Sequence, residues 1–168
     1  MFFACGQSNS GYKKHNLNSL KADNTEFVSN TKLFYDTSVI VILPIDTAAY
    51  AYNPLFKNVT SLRLRIEDLH IIDSLLGYSI IGYNNLQNTT KKISEYIDLK
   101  KYRRQYVPFI DSYGKKKVYI NCFCISEWDI NYWKKELVQV EDGGSCFFNL
   151  LIDLTNFRYE NLSINGYG

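Results

Sequence analysis

The sequence predicts an α+β fold in which one long helix packs on a curved antiparallel sheet of about five or six strands. Three observations predict it. A helical apolar period runs through "RIEDLHIIDSLLGYSIIGYNN" (65–85), and the chain after Lys100 reads as a series of hairpins. Aromatic residues make up 15% of the chain, with 14 Tyr and 10 Phe, a share that suits half-buried pleated surfaces. At 168 residues the chain supports one core, whereas two domains would each be marginal. The 46% hydrophobic and 21% charged residues are those of a globular chain.

Residues 6–25, "GQSNSGYKKHNLNSLKADNT", mix Gly, Ser, Asn and Lys with no apolar period, the composition of a flexible tether. The expected division is therefore 1–25, signal remnant and tether, and 26–168, a single domain. "VIVILP" (39–44) is a β-branched apolar run closed by proline and predicts a buried strand. An irregular connection follows, ending in the Asn53-Pro54 turn signal.

In the helix, Ile66, Leu69, Ile72, Leu76, Ile80 and Tyr83 recur at spacings of three and four, with Glu67 and Asp68 suited to the first turn. Gly77 and Gly82 each weaken it by roughly 1 kcal/mol relative to alanine, unless they mark close packing on the sheet. Beyond it, "RRQYVPFID" and "KKVYINCFCI" flank a short loop in which Gly114 supplies a positive backbone angle. In the second strand Val118, Ile120, Cys122 and Cys124 share one face, and Tyr119, Asn121, Phe123 and Ile125 the other. Pro108 cannot donate to a ladder, which places its strand at an edge or a bulge.

"SEWDINYWKKE" reads as a connection with one helical turn. "LVQV", "EDGG" and "SCFFNLLIDL" read as a hairpin, since Asp-Gly between apolar runs favours a primed turn, and "YENLSI" is the last strand. Strand, helix, then about five consecutive antiparallel strands is an order that resembles the cystatin-like and nuclear-transport-factor-like α+β folds over residues 38–165. The resemblance is one of element order and carries no residue-level motif.

Chemistry is sparsely encoded. Nucleophilic catalysis requires a nucleophile beside a base, and the only histidines are His15 in the tether and His70 on the helix. A dyad of His70 with Cys122 or Cys124 is conceivable, but a satisfied or solvent-facing histidine is the simpler reading. The four cysteines are Cys5, Cys122, Cys124 and Cys146. With Cys5 set apart the rest are expected to be buried free thiols, with a Cys146 pairing to either of the other two left open. "CFC" lacks zinc-knuckle spacing, so neither metal nor cofactor is expected. Glu141 and Asp142 suit a turn, and "DGGS" leads into a strand rather than a helix, so it is no phosphate loop.

The net charge is +2, from 19 Lys and Arg against 17 Asp and Glu, too small to imply a polyanionic partner. "KKYRRQY", with Lys100, Lys101, Arg103 and Arg104, interleaves cations and tyrosines as a single-strand nucleic-acid groove would. Solvated strand ends explain it as well, and no nucleic acid is expected.

The chain opens "MFFACGQSNSG". Apolar residues, a small residue, a cysteine and a polar tether resemble the end of a bacterial lipoprotein signal. That resemblance implies that Met1 is internal to a longer product, that Cys5 is lipidated, and that the protein is held at the cell envelope, facing periplasm or exterior. A true start at Met1 and a cytoplasmic protein are the alternative. The closing region from "EDGGSCFFNLLIDL" to "NGYG", preceded by "WDINYWKKELV", is similar to small uncharacterised bacterial lipoproteins.

The sequence is thus read as an exported, lipid-anchored, non-enzymatic binding or interaction module. Its partner is an unnamed protein or small molecule, met on the concave sheet or at Trp128, Trp133, Asp142, Gly143 and Gly144. The alternative is a cone-type small-molecule carrier or enzyme with a pocket between helix and sheet. A cytoplasmic nucleic-acid binder comes last.

Overall fold

The computed structural model describes residues 36–46, 53–90, 95–125 and 132–166. Their elements are β1 (Ile40–Ile42), β2 (Thr60–Ser61), α1 (Ile66–Thr90), β3 (Tyr102–Ile110), β4 (Lys116–Cys124), β5 (Phe147–Asp153) and β6 (Arg158–Ile164). The strands form one six-stranded sheet in the order β1-β3-β4-β5-β6, with β2 also paired to β3. One long helix on this sheet gives an α+β fold. The sheet is mixed, not wholly antiparallel: β1 runs parallel to β3, with Ile40 opposite Arg104 and Ile42 opposite Tyr106. The reason is topological, because α1 lies between these strands in the chain and such a crossover returns the backbone in the same direction.

Pro108 sits where its strand can tolerate it. It pairs in register with Val118 of β4. On the other side of β3, β1 has already ended opposite Tyr106, and β2 starts opposite Phe109. Arg104 N–H and Tyr106 C=O both face β1. Pro108, at the same parity, turns its missing donor toward the notch between the two short strands.

The helix begins with one half of a capping box: Asp68 is 4% exposed and accepts from the Arg65 backbone N–H at 2.8 Å, while the arginine side chain has no oxygen to return the bond. It runs five residues past the apolar period, to Thr90. There the Thr89 and Thr90 hydroxyls donate to Leu86 O (2.7 and 3.2 Å), bonding back onto the last turn of the helix. Ile72, Leu76 and Ile80 are buried as expected, but Ile66 is 68% exposed in the first turn. Gly77 does not mark close packing, since a Cβ there would meet nothing within 4 Å. Asn84 clamps the helix to the approach to β3: its amide nitrogen donates to Ile97 O and its amide oxygen accepts from Ile97 N–H, both at 2.9 Å.

The sheet is covered on both faces. Against α1 lie Ile40, Tyr102, Tyr106, Val118, Ile120, Cys122, Phe148, Leu150 and Ile152, a continuous buried core. On the opposite face, Val107, Phe109 and Leu151 pack with Leu43 and Phe56, while Phe123 packs with Trp133 and Val138. The concave sheet is therefore not an open binding surface.

The expected hairpin from "LVQV" into β5 does not form. Residues 137–140 hold no strand, and β5 pairs with β4 and β6 instead. Apolar character suggested a strand, but these residues serve as cover over the outer face. Tyr132–Glu136 does make one turn, with Lys135 and Glu136 N–H donating to Tyr132 O.

Two glycines give opposite expectations. Gly77→Ala adds helix propensity without a clash and is expected to stabilise by roughly 1 kcal/mol. Gly143 has φ +98°, and a Cβ there would lie 2.5 Å from Phe147 Cδ2, so Gly143→Ala is expected to destabilise by about 2 kcal/mol. Urea midpoints at constant m-value check both.

Candidate functional site

Trp133, expected as an exposed anchor, is 5% exposed. A buried amide pair seats it. Gln105 Nε2 donates to Trp133 O and Glu136 O at 2.5 and 2.6 Å, and Gln105 Oε1 accepts from Val138 N–H at 2.8 Å. Asn121 Nδ2 donates to that same Gln105 oxygen and to Val138 O. Both amides stand on the outer face of adjacent strands, opposite each other in register. They substitute for the ladder that 137–140 would have had in a strand. Trp133 then packs edge-on against Phe123, with Arg103 and Lys134 each 5.3 Å from its ring centroid. Trp128 lies outside the described residues, as do Cys5 and His15.

Asp142 and Gly143 are exposed and Gly144 is buried. Their loop is fastened to the chain just after β6: Asn165 Nδ2 donates to Val140 O and Asp142 O, and Gly144 N–H donates to Gly166 O. The Asp-Gly-Gly sequence thus supplies a turn, with both glycines at positive φ.

The cysteines correct the expectation of free thiols. Cys124 is bonded to Cys146, 22 positions on, tying the end of β4 to the 3-10 turn that enters β5. Only Cys122 among the described residues is a free thiol, fully buried, and burial pushes its pKa up to about 12. Such a thiol holds its proton at neutral pH, which removes the premise of a Cys–His dyad with half-buried His70.

The basic run does not form one groove. Arg103 and Arg104 are neighbours on β3 and point to opposite faces: Arg103 covers Trp133, whereas Arg104 faces α1. Lys100 and Lys101 are exposed in the 3-10 turn Leu99–Lys101, capped by Asp98. Lys117, near the start of β4, lies within 4 Å of Asp111 and Glu160.

What the structure does build is a cleft of about 490 Å³ where α1, β1 and the start of β3 meet. Val39, Ile40, Leu76 and Leu99 supply apolar walls, and Asp36, Asp73, Lys100 and Arg104 supply charge. The Arg104 side chain is 16% exposed, with Nη1 3.8 Å from Asp73 Oδ1 and Nη2 3.5 Å from Leu99 O, while its Nε is buried with no hydrogen-bond partner. Beside them the buried Tyr106 hydroxyl donates to Asp73 Oδ1 at 3.5 Å. Burial raises the Asp73 pKa, opposed by the fields of Arg104 and His70. The Asp36 carboxylate, bonded to Ser38, is held below its ordinary value. These distances are long for charge-assisted bonds.

Asp73 and Tyr106 were not singled out in the sequence. The available signal was Arg104 between Tyr102 and Tyr106 on one strand face, a cation where the alternation calls for a core residue. No helix among the described residues is long and apolar enough to cross a membrane, and they hold no cluster of three or more potential metal ligands. No protein-family model, curated protein or solved structure matches the chain.

Gln105→Leu is expected to cost about 3 kcal/mol or more, because Trp133 O, Glu136 O and Val138 N–H lose their buried partner. Urea unfolding measures the loss, and in a Trp128→Phe background Trp133 emission is expected to shift to the red. For Cys122, the unfolded thiol ionises near its ordinary 9.0 while the native one stays protonated to about 12. The unfolded state then binds fewer protons, so stability falls as pH rises above 9.0. Cys122→Ala is expected to remove roughly 1 kcal/mol per pH unit of that slope, read from denaturation at stepped alkaline pH.

Proposed function

We propose that the chain is an exported, membrane-tethered, non-enzymatic binding module whose ligand occupies the cleft at Arg104. The disulfide between Cys124 and Cys146 carries the export part of this reading. Such bonds persist in oxidising compartments and are rare where thiol reductants are maintained. It agrees with the lipoprotein-like "FFAC" start, in which Cys5 takes the lipid and the polar residues after it serve as tether.

The cleft supports the binding part. It is concave, with four aliphatic side chains in its walls and four charged side chains converging on it, a mixture that can orient a small molecule. It lies at the rim of the buried core between α1 and the sheet, and a second cleft of about 450 Å³ lies where the end of α1 meets the end of β6. Trp133, one of the two tryptophans of the loop surface, is buried. The raised Cys122 pKa speaks against thiol catalysis.

Fractionation of cells expressing the complete gene tests the export reading. The wild-type protein is expected in the membrane fraction with Cys124 and Cys146 protected from alkylation in non-reducing denaturant. Cys5→Ser is expected to release it from the membrane. A cytosolic protein with both thiols alkylated overturns the proposal. Reduction of the bond is expected to cost roughly 3 kcal/mol, measured by urea denaturation with and without reductant.

A further inference from the structure

We propose that the cleft takes a small zwitterion, an apolar α-amino acid, with its carboxylate on Arg104, its ammonium on Asp73 and its side chain against Val39, Ile40 and Leu76. This rests on the reading of the cleft as the binding site and names the class of ligand.

Charge balance is the first argument. The cleft presents Arg104 and Lys100 against Asp73 and Asp36, so its formal charge is zero. A simple anion would find Arg104 but also meet two carboxylates, and a simple amine would meet two cations. A zwitterion places each charge on its complement and adds no net charge to a partly buried site.

Geometry is the second. Arg104 Nη1 and Asp73 Oδ1 stand 3.8 Å apart, adjacent but not closed into a short pair. An α-amino acid carries its ammonium and carboxylate on one carbon, so its two charges are also adjacent and reach both groups at once. The outer nitrogens of Arg104 make only long contacts, Nη1 at 3.8 Å from Asp73 Oδ1 and Nη2 at 3.5 Å from Leu99 O, with the Tyr106 hydroxyl beside them. A carboxylate entering the cleft gives the guanidinium short, paired acceptors.

The apolar wall is the third argument. Val39, Ile40, Leu76 and Leu99 line the same cleft, and a branched aliphatic or aromatic side chain buries surface there that a small polar amino acid does not.

The test uses the full chain with its disulfide formed, titrated with leucine, with 4-methylpentanoate (leucine without the amine), with isopentylamine (leucine without the carboxylate) and with inorganic phosphate. Backbone amide NMR shifts follow the binding. Leucine is expected to move the resonances of Val39, Ile40, Asp73 and residues 99–104 saturably, with each half-molecule at least roughly tenfold weaker. Arg104→Met and Asp73→Asn are each expected to lose roughly tenfold or more. Asp36→Asn, on the exposed rim, reports the charge requirement with little risk to folding. Equal binding of 4-methylpentanoate or phosphate at these residues overturns the zwitterion and keeps the cleft. No shift at the cleft by any of the four at about 10 mM, in a chain that remains folded, overturns the cleft as the site. The membrane fractionation reads neither outcome, so the export reading stands or falls separately.

Discussion

Successive residues of β3 must point to opposite faces of the sheet, and both faces there are covered. Nearly everything distinctive in the molecule follows from that constraint. Tyr102, Arg104 and Tyr106 look toward α1, while Arg103, Gln105, Val107 and Phe109 look toward the outer cover. Gln105 is 0% exposed. A buried amide is unfavourable unless its donors and acceptor are all used. Here the loop carbonyls, the Val138 N–H and Asn121 use them. The same alternation turns Arg104 inward beside the helix, where Asp73 is the nearest countercharge.

Local pattern carried much of this fold. The apolar period placed the body of α1, Gly114 placed the β3–β4 turn, and strict alternation divided β4 correctly between Val118, Ile120 and Cys122 on the helix side and Tyr119, Asn121 and Phe123 on the other. What local pattern lacks is the identity of the partner. "VIVILP" announced a strand, but its parallel pairing to β3 depends on a crossover. "LVQV" had the apolarity of a strand, yet its hydrogen bonds go to three side chains more than a dozen residues away, those of Gln105, Asn121 and Asn165. A side-chain amide that replaces a ladder leaves no period behind it.

The candidate site was less legible than the fold for the same reason. Arg104 stood in a run of cations and read as part of a solvated charge cluster. Its distinction is parity, which separates it from Arg103, and parity has meaning only once both sheet faces are known to be covered. Asp73 lies beside Ile72, at the border of the helix stripe, where a carboxylate is unremarkable without the strand opposite. Cys124 and Cys146 were likewise three-dimensional facts: nothing in a spacing of 22 distinguished that pair from Cys122 with Cys146.

The open distance between Asp73 and Arg104 is best understood as a property of the two elements that hold them. Arg104 is fixed at the backbone, its N–H donating to Val39 O at 2.7 Å within the β1–β3 pairing and its strand continuing into β4. Asp73 belongs to a helix clamped by Asn84 to Ile97 and seated on a core with no exposed surface at Ile72 and Leu76. Neither backbone moves without straining that packing, so only rotation of the two side chains brings the charges closer, and they stand 3.8 Å apart at the rim of the core. That arrangement gives away part of the stability a closed pair would supply, and it leaves two oriented charged groups at the edge of the cleft.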